Sequence, residues 1–127
     1  MKSRNYTTPE QSKKLLELGL DSKTADYMFV WDFTSGALNG HHEIIPGYFE
    51  PTEKDLVSWS LARLLDLFPP DKPGEGFIIT RDRGNRGWFV RSRYVVKEES
   101  VVTESVGPVL LDSVFDVLCG LLSKKII

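Results

Sequence analysis

A β-hairpin is predicted by residues 77–96, FIITRDRGNRGWFVRSRYVV, and this hairpin decides the fold class. Both of its ends are rich in β-branched and aromatic residues, which favour strands. The glycines and the asparagine of residues 84–87 are typical of a turn between them. Arg91 and Arg93 alternate with apolar and small residues, as expected where one face of an antiparallel sheet is solvated.

Further strands are predicted on both sides of this hairpin. Residues 27–31, YMFVW, have the composition of a buried strand. Glycines and prolines break up the stretch from 34 to 51 and leave room for a short strand near 43–45. Residues 97–105 are mostly polar and predict a further edge strand.

Three helices complete the prediction. Pro9 suits the first position of a short helix over residues 9–18, with a capping box formed by Thr8 and Gln11. A second helix is expected from about 53 to 68, capped by Thr52 and ended by two prolines. The third runs from 108 to 123, with apolar residues over a broad arc that includes Leu118.

These elements predict an α+β protein. We expect a small, mainly antiparallel sheet built from strands near 27–32, 77–82 and 88–96. The two longer helices would pack on one face of that sheet, beside the short N-terminal helix.

The composition predicts a single compact domain over residues 1–127 that folds without disulfides or metal. The formal charge is -2 and hydrophobic residues make up 41% of the chain. No apolar run approaches the roughly 20 residues of a membrane helix, and the first residues lead into polar sequence. We therefore expect a cytoplasmic protein without membrane contact.

Arginines are concentrated in the hairpin, where residues 81–93 carry a net charge of +4 and the rest of the chain carries -6. Interleaved aromatic residues make this segment a candidate nucleic-acid-binding module, since arginines contact phosphates and aromatic rings stack on bases. A solvated strand face neutralised by nearby glutamates is the simpler interpretation, and an acidic protein partner is a third. The candidate residues are Arg81, Arg83, Arg86, Arg91 and Arg93.

Trp59 is the second candidate for an interaction. On the predicted helix it lies roughly 160° from the apolar stripe, so the helix alone would expose it. Tryptophan is enriched in interface hot spots. Burial of Trp59 by the loop over residues 33–49 or by another part of the chain is the simpler interpretation, because large aromatic side chains are seldom left bare on a monomer.

Catalytic chemistry is not favoured by the sequence. His41, His42 and Glu43 are the only candidate metal or acid-base cluster, and adjacent histidines on a strand point to opposite faces. Cys119 lies among aliphatic residues of a helix, where an inert buried thiol is expected. We therefore expect no enzyme activity, no metal and no cofactor.

The order of segments resembles that of small prophage and mobile-element proteins of gut anaerobic bacteria, a group without an assigned function. The segments that carry this resemblance are TTPEQSKKLLELG (7–19), WSLARLLDL (59–67), GWFVR (87–91) and LLDSVFDVL (110–118). The resemblance implies an α+β domain in a bacterial or phage context and supplies no catalytic residues. With the composition, it favours a protein-interaction or accessory domain that binds a protein partner or itself, with nucleic-acid binding through residues 81–93 as the alternative.

Overall fold

The computed structural model describes residues 5–32, 41–52, 55–82 and 87–127. Within these ranges the chain forms two three-stranded antiparallel sheets and three α-helices, so the predicted α+β class is confirmed. In chain order the elements are α1 (Pro9–Glu17), a 3₁₀ turn (Ser22–Thr24), β1 (Tyr27–Asp32), β2 (His41–Pro46), β3 (Leu56–Ser58), α2 (Leu61–Asp66), β4 (Gly76–Asp82), β5 (Gly87–Val96), β6 (Glu99–Gly107) and α3 (Leu110–Ser123).

The N-terminal helix α1 begins and ends where its local signals predict. Thr8 Oγ1 accepts a hydrogen bond from the Gln11 N–H at 3.2 Å, and Gln11 Oε1 accepts one from the Thr8 N–H at 3.0 Å. Gly19, at φ +99°, follows the helix in a conformation that only glycine adopts easily. The predicted capping box is therefore confirmed.

The predicted strands form two sheets rather than one. In the first sheet β1 lies between β2 and β3, so both of its edges are paired. In the second sheet β5 lies between β4 and β6. The strand β6 confirms the predicted strand after residue 97. The expectation of a single sheet is wrong because β1 uses its edges on β2 and β3.

The second predicted helix, over residues 53–68, is confirmed only for Leu61–Asp66, and its predicted start at Thr52 is wrong. Leu56–Ser58 is a strand paired with β1, and α2 begins only at Leu61. Ser60 is the true cap, since its Oγ accepts from the Arg63 N–H at 3.1 Å. The Thr52 hydroxyl instead donates to Asp55 at 2.7 Å in a local turn. Pairing with β1, which is distant in sequence, outweighs the local helix signal.

The helix α3 packs against β5 and β6 and also touches α1 and α2. Leu118 is 1% exposed, which confirms its predicted place in the core. One cluster of buried apolar residues receives side chains from both sheets and all three helices, among them Leu15, Met28, Leu64 and Val90. None of the helices in the described ranges is long and apolar enough to cross a membrane.

Candidate interaction surface

The β4–β5–β6 sheet has one covered face and one open face. Along β5, Val90, Ser92 and Tyr94 are buried on the side that faces α3, while Arg91 and Arg93 are exposed on the other side. Side chains alternate between the faces of a sheet, so the strand pairing assigns each residue to one face. We call the open side the outer face, formed by Ile78, Thr80, Phe89, Arg91, Arg93, Val95, Ser100, Val102, Glu104 and Val106.

Aliphatic side chains are unusually exposed on the outer face. Ile78 and Val106 are each 55% exposed, and Val95 and Val102 are also open to solvent. Among the described residues, these four belong to a set of seven large apolar side chains that are exposed. A solvated face of an antiparallel sheet is ordinarily polar, so the concentration of aliphatic area on this one face is a distinct feature.

Two arginines lie in the middle of the outer face and are held there by neighbours. Arg91 Nε lies 3.9 Å from a carboxylate oxygen of Glu104, directly across the β5–β6 ladder. The Arg93 guanidinium donates to the carbonyl oxygen of Gly74 and to Ser100 Oγ, the latter at 2.8 Å. Both arginines are solvent-facing, which confirms that part of the prediction, and both have local partners.

Arg81 lies on the opposite side of the same sheet. Its strand pairing places it opposite Trp88, and its guanidinium carbon lies 5.2 Å from the centre of the Trp88 ring. The arginines predicted to act as one group are therefore divided, with Arg81 on the inner side and Arg91 and Arg93 on the outer face. Arg83 and Arg86 lie outside the described residues.

An open hollow of about 570 Å³ lies where β4 begins. It is bounded by the turn before β4 and by Arg91 and Arg93. Glu75 ties this turn to β5, because its Oε1 accepts from the Val95 N–H at 2.7 Å. The hollow is lined by Asp71, Lys72, Gly74, Glu75, Gly76, Phe77, Ile78, Arg91 and Arg93.

Tyr94 lies on the buried side of β5, close to the same turn. Its hydroxyl donates to the Pro69 carbonyl oxygen at 3.4 Å. Burial, together with the negative charges of Asp71 and Glu75, raises the pKa of the Tyr94 phenol to about 12. Its hydroxyl therefore remains a neutral donor at physiological pH.

Trp59 is completely buried, so the expectation of an exposed anchor is wrong. Its indole N–H donates to Thr24 Oγ1 at 3.0 Å, and its backbone N–H donates to Thr7 Oγ1 at 3.1 Å. The error has a physical cause: Trp59 follows the strand β3 and precedes α2, so helical geometry does not set its direction. The alternative, burial by other parts of the chain, is what the structure has.

Cys119, His41 and His42 are the remaining candidates for nucleophilic or metal-binding chemistry. Burial and the negative charge of Asp116, opposed by Lys14, raise the pKa of the half-buried Cys119 thiol to about 11. The thiol is therefore protonated at neutral pH. His41 and His42 lie on β2, but their side chains fall outside the described part of the structure. Among the residues that are described, no group of three His, Cys, Asp or Glu side chains could hold a metal ion.

Ile78, Val102 and Val106 are the residues of the outer face that sequence reasoning missed. The sequence of β6 does place Val102, Glu104 and Val106 on one face, since residues two positions apart on a strand share a face. Valines occur on both faces of this strand, however, so the hydrophobic pattern does not show which face is buried. The outer face offers aliphatic area, two guanidinium groups and one carboxylate, which suit contact with another molecule.

Comparison of the chain with protein-family models, with curated proteins and with solved structures gives no match.

Proposed function

We propose that this chain is a non-catalytic protein-interaction or accessory domain of prophage or mobile-element origin, acting in the cytoplasm. Its partner is another protein, which binds to the outer face. The observation that carries this proposal is the set of four exposed aliphatic side chains and two arginines on one open sheet face. The resemblance of segments described above supports the proposed origin.

Physical reasoning favours a protein as the ligand of this face. The exposed Ile78, Val95, Val102 and Val106 surround Arg91 and Arg93 on one face, and exposed apolar area that is gathered on one surface among polar groups marks contact sites. Arginine is enriched in protein interfaces because its planar guanidinium combines apolar contact with directed hydrogen bonds. The raised pKa of the Cys119 thiol argues against thiolate catalysis at that residue, because a protonated thiol is a poor nucleophile.

Nucleic-acid binding is the second candidate, favoured by the presence of Phe89, Arg91 and Arg93 on the same outer face. Against it stand the partners that these arginines already have, Glu104, Gly74 and Ser100. The net charge of the chain is -2, whereas nucleic-acid-binding domains are usually basic. A protein partner is therefore the better match to this surface.

Affinity capture from bacterial lysate, read by mass spectrometry, tests the proposal. The variant V102K/V106K places two charges on the outer face and should lose the partner that the wild-type chain captures. A matched control, E17Q/D66N, changes the net charge by the same amount at exposed positions on α1 and α2 and should retain it. Thermal melts would show that both variants fold. Identical sets of captured proteins from the wild type and V102K/V106K would contradict the proposal.

A further inference from the structure

The hollow at the start of β4 combines a concave shape with a positively charged lining. Its volume of about 570 Å³ falls among those of small-molecule sites. Three cationic and two acidic side chains line it and leave a net charge of +1, whereas the whole chain carries -2. They are Lys72, Arg91, Arg93, Asp71 and Glu75. The charge of the lining therefore favours an anion as the ligand.

The charges at the turn end of the hollow offset one another. The Asp71 carboxylate packs over Gly76, where a Cβ would lie 2.6 Å from Asp71 Oδ1. The Glu75 carboxylate is tied to β5, and the Arg93 guanidinium donates to a carbonyl oxygen of the same turn. With the exposed Lys72, this end holds two positive and two negative groups. The excess positive charge of the lining belongs to the other end.

Arg91 is the cation at that other end, and its terminal N–H groups are open. Its contact with Glu104 joins Nε to a carboxylate oxygen at 3.9 Å, which is longer than a hydrogen bond, and both side chains are half-exposed. In the part of the chain that the structure describes, no group accepts a hydrogen bond from either terminal nitrogen of Arg91. These nitrogens form a planar fork that fits a carboxylate. This end of the hollow therefore suits a carboxylate group.

Ile78 provides an apolar surface directly beside Arg91. The two residues are paired across the β4–β5 ladder, lie on the same face and both line the hollow. Side chains in such a pair have Cβ atoms about 4.5–5.5 Å apart. Ile78 is 55% exposed, and a carbon chain attached to a carboxylate on Arg91 would remove part of this apolar area from water. An inorganic anion would leave Ile78 exposed.

We propose that the hollow binds a small aliphatic carboxylic acid. Its carboxylate accepts hydrogen bonds from the terminal nitrogens of Arg91, and its carbon chain packs against Ile78. This site goes beyond the proposed function, because it does not depend on a protein partner.

Nuclear magnetic resonance titration with three probes tests both parts of this recognition. Hexanoate has the charge and the chain, hexanamide has the same chain without the charge, and acetate has the charge without most of the chain. We expect hexanoate to shift the amide resonances of Ile78 and Arg91 with a Kd on the order of 1–10 mM. Hexanamide and acetate should each bind at least about fivefold more weakly, because each lacks one of the two contacts.

The role of Arg91 is tested by a matched pair of variants. Arg91→Gln removes the terminal guanidinium nitrogens and should weaken hexanoate binding at least about fivefold. Arg81→Gln removes the same charge from the other side of the sheet and should bind as the wild type does. Glu104→Gln removes the carboxylate 3.9 Å from Arg91 Nε and should strengthen binding, because that carboxylate competes with the ligand. The amide spectrum of each variant shows whether it is folded.

Equal affinities of the wild-type chain for hexanoate and hexanamide would overturn the proposal, as would the absence of saturable shifts with hexanoate. Equal weakening by R91Q and R81Q would overturn the assignment of the carboxylate to Arg91. V102K/V106K changes β6 and leaves the lining of the hollow intact, so it should still bind hexanoate. A failure of this proposal is therefore distinguishable from a failure of the proposed function.

Discussion

At the scale of single residues, Trp59 joins three parts of the chain. Its backbone carbonyl accepts from the Thr7 N–H at 2.9 Å, and its backbone N–H donates to the Thr7 hydroxyl. The same hydroxyl lies 2.7 Å from Ser12 Oγ and 3.0 Å from Ser58 Oγ. The indole reaches the 3₁₀ turn at Thr24. A buried ring with a satisfied N–H makes Trp59 a core residue.

Trp59→Ala should therefore lower the free energy of unfolding by about 3–5 kcal/mol, because a large buried side chain is lost and the cavity is only partly closed. Denaturant titration measures this change. Sedimentation of the folded fraction should be the same as for the wild type, because Trp59 does not reach the surface. A loss below about 0.5 kcal/mol would contradict its place in the core.

Substitution of Ser60 and of Thr52 would distinguish the true cap of α2 from the cap that the sequence predicted. Ser60→Ala should cost about 0.5–2 kcal/mol, because the Arg63 N–H loses its acceptor and Asp26 loses a donor. Thr52→Ala should cost less than about 0.5 kcal/mol, since its bond to Asp55 is exposed and caps no helix. Denaturant midpoints of the two variants measure both losses of stability. A larger loss for T52A than for S60A would argue for a helix that begins at Thr52.

At the scale of elements, the contact between α3 and β6 depends on Gly120. A Cβ at Gly120 would lie 2.7 Å from Thr103 Cγ2, closer than real Cβ contacts come. The helix therefore approaches the sheet more closely than any other residue at this position would allow. Thr103 is half-buried beneath it.

Gly120→Ala should destabilise the protein, because overpacking costs about 1–3 kcal/mol and exceeds the gain in helix propensity of about 0.5–1 kcal/mol. In a Thr103→Ser background the obstructing methyl group is gone, and the same change should become neutral or stabilising. Thermal melts of the two single variants and the double variant would show this reversal of sign. An equal effect of G120A in both backgrounds would mean that α3 does not press on Thr103.

At the scale of the whole molecule, the distribution of charge argues against binding of nucleic acids. Arg81 lies on the other side of the sheet from Arg91 and Arg93, and the chain is acidic overall. Fluorescence anisotropy with random single- and double-stranded oligonucleotides should show no binding at about 50 mM salt, where phosphate contacts are strong. Binding that weakens with salt, with a slope reduced in R91A/R93A, would instead support the nucleic-acid candidate.

The parts of the fold that were predictable from sequence are those with local signals. The capping box of Thr8 and Gln11 and the apolar arc around Leu118 predict α1 and α3, since each depends on residues a few positions apart. Alternation on β5 likewise predicts the exposed Arg91 and Arg93. Of the candidate site, these two arginines were predictable, whereas the exposed aliphatic residues around them were not.

The sequence by itself determined the α+β class, the hairpin and the two helices with clear ends, because backbone propensity, capping and periodicity act over short stretches. Only the tertiary structure decided that Leu56–Ser58 is a strand, that Trp59 is buried and that the strands form two sheets. The strand at Leu56–Ser58 and the burial of Trp59 depend on partners distant in sequence, namely β1 for β3 and Thr7 and Thr24 for Trp59. The division into two sheets follows because β2 and β3 occupy both edges of β1. Long-range pairing can outweigh local preference because it buries more apolar surface and satisfies more backbone hydrogen bonds than the local alternative.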